Sequence, residues 1–381
     1  MTLFIGLILL IPFLTWVFKE PKKEGSSKIA PYEYPLADYD IKDYYEFYTK
    51  DDKFDSSEVE TKPLEITIKN NSINPALIHE WKGEKLNNFE FRPKTFNEFI
   101  GQEDGKNKAI NLIKRYKRGI KSHLFVTGSQ GLGKTLYINI LANTLNAELI
   151  ERVGSQVNCD TIIPIINEII DSKKKNVILF VDEIDGMKPE DIKILNPVIE
   201  TFKLAGRDLR PFIFACATIN DEKLYLNNPD FLDRIPIKIH FRKYNAKEIS
   251  MIVTQAKNQL YKDDLVNDDI INLISENCKF NPRVANNLLS DYIIEQNIRQ
   301  VFKDNQIIKD GLTITDIKIL DILNQQSKPI GEGVLSQKVG IKRKQYNIIY
   351  EPYLVEYGYV GRIPSRVITD KGREVLKIIN Q

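Results

Sequence analysis

The stretch from Gly128 to Thr135, GSQGLGKT, satisfies G-x-x-x-x-G-K-[ST] and follows the apolar run HLFVTG. Further along, Val177 to Asp185, VILFVDEID, is a strand-like run that ends in carboxylates. Residues of these types in this order suit hydrolysis of a nucleoside triphosphate. Gly128, Gly131 and Gly133 free the loop to turn successive backbone N–H groups toward phosphate oxygens, and the helix beginning near Lys134, with Leu136 in its first turn, adds its positive dipole end. Lys134 would reach the β- and γ-phosphates, and the Thr135 hydroxyl would sit on Mg²⁺. Asp182, at the end of the second strand, would hold the metal's water shell, and Glu183, one residue on, could polarise the attacking water. A loop matched by chance would lack the strand before it and the Asp-Glu pair after it. The cofactors expected are therefore ATP and Mg²⁺.

The elements that must hold these residues alternate. Helical patterns over Asn107 to Arg118, Thr135 to Leu145, Thr161 to Asp171 and Pro189 to Leu204 are interleaved with short apolar strands over His123 to Thr127, Val177 to Val181 and Phe212 to Ala217. That order predicts an α/β fold, an open parallel sheet with helices on both faces. After Ala246 the pattern turns helical up to about Phe302, and beyond Thr315 a small helical domain ends in a strand-like pair.

A chain of 381 residues suits two or three domains, and 42% hydrophobic content supplies their cores. Its net charge of +2 averages unlike parts: acids cluster between Glu33 and Glu60, whereas the last fifty or so residues are basic. Cys159, Cys216 and Cys278 are scattered without metal or disulfide spacing, as are His79, His123 and His240, so no metal beyond Mg²⁺ is suggested. Leu3 to Phe18 carries no charge and is followed by Lys19, Lys22 and Lys23. Its Leu, Ile and Phe each favour insertion by roughly 0.3 to 0.6 kcal/mol at a helix centre. The expectation is a single-pass membrane anchor over residues 1–18 with everything after it cytoplasmic; a secretory signal would place its basic residues before the apolar run. Residues 19–90 read as an acidic, Tyr-rich linker.

From Phe91 onward the chain resembles the RuvB-type branch-migration ATPases of the AAA+ superfamily. The resemblance rests on FRPKTFNEFIGQ, SHLFVTGSQGLGKT, FVDEID, LNPVIETFKL, NPRVANNLL and, most specifically, YEPYLVEYGYVGRIPSRVIT. It implies an AAA+ P-loop ATPase domain over 91–245, a helical lid over 246–312 and a winged helix over 313–381. It further implies that Phe91, Arg92 and Tyr244 line the adenine side, and that Arg283 reaches the γ-phosphate from the lid. Arg234, in LDRI, would be the arginine finger that a neighbouring subunit inserts, so the assembly would be a ring of copies, a hexamer by resemblance. Three places depart from the family pattern, the first being Leu232, Asp233 and Arg234 where the family has Arg-Asp-Arg, so that one of two arginines is missing. The polar sensor falls on Thr218 or Asn220, and only Ala205 to Arg210, AGRDLR, stands where the family carries a longer hairpin for its partner RuvA, which leaves a RuvA-like partner in doubt.

Ser327 to Lys377 resembles a winged helix, with Lys342, Arg343 and Lys344 in one turn region and Arg362 and Arg366 on the wing as DNA contacts. Glu351 and Pro352 read as structural. The function expected is an ATP-driven motor on duplex or branched DNA. The alternative is a membrane-tethered protein remodeller whose winged helix holds a protein.

Overall fold

The computed structural model describes residues 91–204, 207–261, 266–362 and 365–379. The expected anchor and linker, residues 1–18 and 19–90, lie outside these described residues. Among the described residues no helix is long and apolar enough to cross a membrane.

Helix α1 (Glu103–Lys117) leads into β1 (Leu124–Gly128), α2 (Lys134–Leu145), β2 (Ala147–Val153), α3 (Ile162–Asp171), β3 (Asn176–Asp182) and α4 (Pro189–Thr201). A short ladder, β4 (Lys203–Leu204) with β5 (Arg207–Asp208), precedes β6 (Ile213–Thr218), α5 (Asp221–Asn227), α6 (Pro229–Asp233) and β7 (Ile237–Phe241). The main sheet runs β2-β3-β6-β1-β7, parallel throughout. Strand alternation sends successive residues of β3 to opposite faces. Ile178 and Phe180 join one core with Leu124, Val126 and α2, whereas Val177, Leu179 and Val181 join the other with Phe125, α3 and α4. Both faces are covered, so the three central strands read as continuous apolar runs.

The two outer strands escape that pattern. β2, AELIERV, and β7, IKIHF, each have one neighbour in the sheet, and their solvent-facing positions carry Glu151 and His240. Mixed polarity of this kind does not announce a strand in sequence, which is why only the inner three were expected. The helix expected from Asn107 also begins earlier, at Glu103. The segment expected to be a bare link, AGRDLR, contributes Arg207 and Asp208 to a two-residue ladder with Leu204 and Lys203.

The lid comprises α7 (Ala246–Leu260), α8 (Asp268–Asn277), α9 (Pro282–Glu295) and α10 (Ile298–Asp304). Each starts after an asparagine, Asn245, Asn267, Asn281 or Asn297, whose side chain accepts from a backbone N–H of the first turn. Such a cap stabilises a helix by about 1 kcal/mol relative to alanine. Lid side chains Ile249, Val253, Ile274 and Leu288 belong to the same core as α2.

A hairpin, β8 (Ile307–Lys309) and β9 (Leu312–Thr313), precedes α11 (Ile314–Asn324) and α12 (Glu332–Val339). Then α13 (Arg343–Gln345) runs through a π turn over Tyr346–Tyr350 into α14 (Glu351–Glu356). Pro352 accounts for the widened turn, because its ring would clash with the Ile348 carbonyl of a regular α-helix and it has no N–H to bond it. The wing, β10 (Val360–Gly361) against β11 (Val367–Ile368), and α15 (Asp370–Ile379) complete the domain.

Candidate nucleotide site and DNA-facing surface

The phosphate loop leaves β1 at Gly128 (φ 137°), where a Cβ would lie 2.6 Å from the Phe241 carbonyl oxygen of β7. A side chain there would separate the two strands. Gly131 also has a positive φ (82°), and a Cβ on it would collide with the Asn281 amide from the lid. Gly133 (φ 92°) turns the chain into α2. The buried Lys134 ammonium folds back on its own loop, donating to the carbonyls of Gly128 (2.7 Å) and Ser129 (2.9 Å). Burial lowers its pKa, and Asp182 opposes that shift.

Parallel pairing brings the tip of β3 close to this loop, and Thr135 Oγ1 donates to Asp182 Oδ2 at 2.7 Å. Asp182 Oδ1 accepts from the Glu183 N–H at 2.9 Å, and Glu183 itself is left-handed (φ 49°). The Glu183 carbonyl lies so close behind Gly154 that any Cβ there would strike it. A strained conformation held by such close packing fixes where the Glu183 side chain starts.

These groups open onto a cleft of about 540 Å³, within the range of small-molecule sites. Phe91, Arg92, Leu136, Tyr244 and Arg283 line it. The Tyr244 hydroxyl donates to the Leu132 carbonyl at 3.2 Å, and burial pushes its pKa up, so it stays protonated. Arg283 is exposed in the first turn of α9. Of the two sensor candidates, Thr218 lines the cleft and donates to Asp185 Oδ1 at 2.5 Å, while its own Oγ1 accepts from the Asn220 N–H at 2.9 Å. Asp185 is a site residue the motif reading passed over. Its signal was the third carboxylate of DEID. The fit to ATP with Mg²⁺ is good: glycines make a cradle that a Cβ would fill, a cation stands ready in it, and a hydroxyl already meets a carboxylate at the strand tip.

Arg234 is not in this cleft. Its Nε donates to Glu200 at 2.8 Å and a terminal nitrogen donates to the Asp230 carbonyl. It sits half-buried on a different part of the same domain.

The DNA-facing prediction needs one correction. Arg362 is exposed after β10, beside the α14 end of the domain. Arg366 is only 9% exposed, and it donates to Glu351 at 2.5 Å and to Glu332 at 2.6 Å. With its fork consumed by two carboxylates, Arg366 ties the wing to α12 and α14 rather than offering charge to a phosphate. The reading of Glu351 as structural follows from the same pair.

Residues 91–206 match the Holliday junction DNA helicase RuvB P-loop domain, and residues 309–377 match the RuvB C-terminal winged helix domain. The RuvB branch migration subunit of Ureaplasma parvum is 31% identical over 307 residues, covering 76% of this chain and 97% of the relative. That of Mycoplasma genitalium is 30% identical over 306 residues, covering 74% and 97%. The structure of the Thermotoga maritima RuvB Holliday junction branch migration motor aligns with a TM-score of 0.65 at 27% identity, covering 75% of this chain and 98% of that one. These relatives are spanned almost completely by about three quarters of the chain. The single-pass membrane placement and the membrane as a partner are corrected accordingly: no described helix meets the length and apolarity of a span, and the family to which the rest conforms is that of a DNA motor.

Proposed function

The chain belongs to the RuvB family of Holliday junction branch migration ATPases, and from that premise we propose how its residues turn ATP hydrolysis into work on branched DNA. The enzyme is an ATP-dependent DNA motor of the RuvB type, with ATP and Mg²⁺ as its cofactors. The observation that carries the site reading is the junction of Thr135, Asp182 and Glu183 at one strand tip, opposite Lys134 and beneath Arg283. Lys134 exchanges its two carbonyl partners for phosphate oxygens. Thr135 and Asp182, already paired, would hold the metal, which would supply electrostatic stabilisation of the phosphoryl group. Glu183 orients and accepts a proton from the attacking water, and Arg283 reaches the phosphates from the lid.

The cleft contains no Arg234, and this supports a finger given in trans by a neighbouring copy, hence a ring. Exposed Arg362 with Lys342 and Lys344 makes the phosphate-facing surface of the winged helix. The two-residue β4–β5 ladder offers little for a RuvA-like partner to grip, so the reading does not include one. No observation favours the protein-remodelling alternative.

Steady-state ATPase with and without a four-way DNA junction tests the reading. Turnover should rise with the junction, and the purified protein should move its branch point. Lys134→Ala should lose nucleotide binding, whereas Glu183→Gln should bind ATP and fail to hydrolyse it by at least about a hundredfold. Turnover indifferent to any DNA, or equal loss of binding in both variants, would overturn it.

A further inference from the structure

Three consecutive residues, Lys279, Phe280 and Asn281, touch the phosphate loop on one side and the winged helix on the other. Asn281 caps α9 by accepting from the Arg283 N–H at 3.0 Å, and the same side chain donates to the Gln130 carbonyl of the phosphate loop at 3.0 Å while lying against Gly131. It therefore holds the start of the arginine-bearing helix directly on the loop. Phe280 stacks on Tyr357 at the end of α14, ring centroids 5.1 Å apart and nearly parallel. Lys279 pairs with the fully buried Asp316 of α11 at 2.5 Å and sits 5.0 Å from the centre of the Tyr353 ring.

A second strap runs beside the first. Lys243, adjacent to the cleft residue Tyr244, pairs with Glu356 at 2.5 Å and lies over the rings of Tyr353 (5.4 Å) and Tyr357 (4.9 Å). Tyr353 in turn donates to the Asp310 carbonyl of the β8–β9 hairpin at 2.7 Å. Lys279 and Phe280 are both left-handed (φ 52° and 53°), a conformation costly for such side chains and kept only where the surroundings impose it. Here both side chains meet groups of the winged helix, Asp316 and Tyr357.

We propose that Lys279–Phe280–Asn281 is the mechanical link through which the state of the phosphate loop is passed to the DNA-facing domain. The proposal rests on the motor reading above. A change at Gln130 or Gly131 displaces Asn281; the two residues before it share its backbone, so the displacement reaches Tyr357, Tyr353 and Asp316 without crossing any flexible segment. Phe280 is a positioning residue, since it lines no part of the cleft.

The test uses the full-length chain with duplex and four-way junction DNA, measuring DNA-free ATPase, junction-stimulated ATPase and junction affinity at fixed salt. Phe280→Ala should leave DNA-free turnover and junction affinity within about twofold while cutting the stimulation by about five- to tenfold, the size of a typical coupling between sites. Phe280→Tyr, which keeps the stack, should restore it. Tyr357→Ala should reproduce the Phe280→Ala effect, and the double variant should be no worse than either single one. Asn281→Ser retains a cap but is too short for the Gln130 carbonyl, and it should lose stimulation as well. Stimulation unchanged in Phe280→Ala and Tyr357→Ala, with melting temperatures like that of the unaltered protein, would overturn the link. An unaltered protein that hydrolyses ATP but ignores the junction would overturn the motor reading, and the link with it.

Discussion

His123 is fully buried at the start of the first core strand, where Nε2 meets the Ile199 carbonyl at 2.7 Å and Nδ1 accepts from the Phe214 N–H at 3.0 Å. With Nδ1 accepting, Nε2 carries the proton and donates, so the ring is complete as a neutral group. Burial pulls its pKa down to about 4, below the ordinary 6.5. Between those values the unfolded chain binds a proton that the folded chain refuses, so stability is full above about pH 6.5 and falls as pH drops toward 4. From pH 7 to pH 5 this residue alone should cost about 2 kcal/mol. Urea unfolding at both pH values checks it: His123→Gln should be less stable at pH 7 and should lose less between the two. Both ring nitrogens are engaged, and His123 precedes β1 whereas the phosphate loop leaves the other end of that strand at Gly128, so the imidazole is structural.

In the winged helix, Arg366 and Arg362 separate stability from binding. Removing the Arg366 side chain leaves the buried Glu351 without its cation, whereas Glu332 keeps Arg343. Breaking one partner of a buried pair costs about 3 to 5 kcal/mol. Arg366→Ala should therefore lower the thermal midpoint of the protein before any DNA effect is read, and Arg366→Met, which fills the volume, should not restore it. Arg362→Ala should leave the midpoint unchanged, weaken duplex binding for all sequences, and reduce the slope of log affinity against log salt by about 1. An unaltered salt slope in Arg362→Ala would remove that residue from the DNA surface.

For the whole molecule, the finger proposed to act in trans is open to a direct test. Arg234 is occupied by Glu200 and Asp230 in its own subunit, and the Arg234 guanidinium holds the Glu200 carboxyl below its usual pKa. A partly exposed pair of this kind contributes little and can be exchanged for a phosphate. Mixing Arg234→Ala protein with Glu183→Gln protein should recover turnover at interfaces that join an intact finger to an intact cleft. No recovery at any ratio, with assemblies still forming, would place Arg234 in a structural role. Lys243, next to Tyr244, and Phe280, three residues before Arg283, both meet the α14 end of the winged helix, at Glu356 and Tyr357.

The chemistry was legible because it is local. GSQGLGKT places its glycines, lysine and threonine within one loop, and DEID ends one strand, so their partnership needs only that two parallel strands be neighbours. The central strands were legible for the same reason, being buried on both faces and hence apolar throughout. What escaped depended on which side chains meet across long separations. β2 and β7 carry charges because they are edges, a fact that exists only once the sheet order does. Arg366 and Arg362 are alike as residues on a wing, and one is buried only because Glu332 and Glu351, far from it in the chain, converge on its fork. Asn281 is a helix cap in sequence; its hold on Gln130 arises from packing of the lid on the loop. Residue type and spacing determined the reaction, whereas burial and pairing, which are properties of the folded surface, decided which of the charges were free to act.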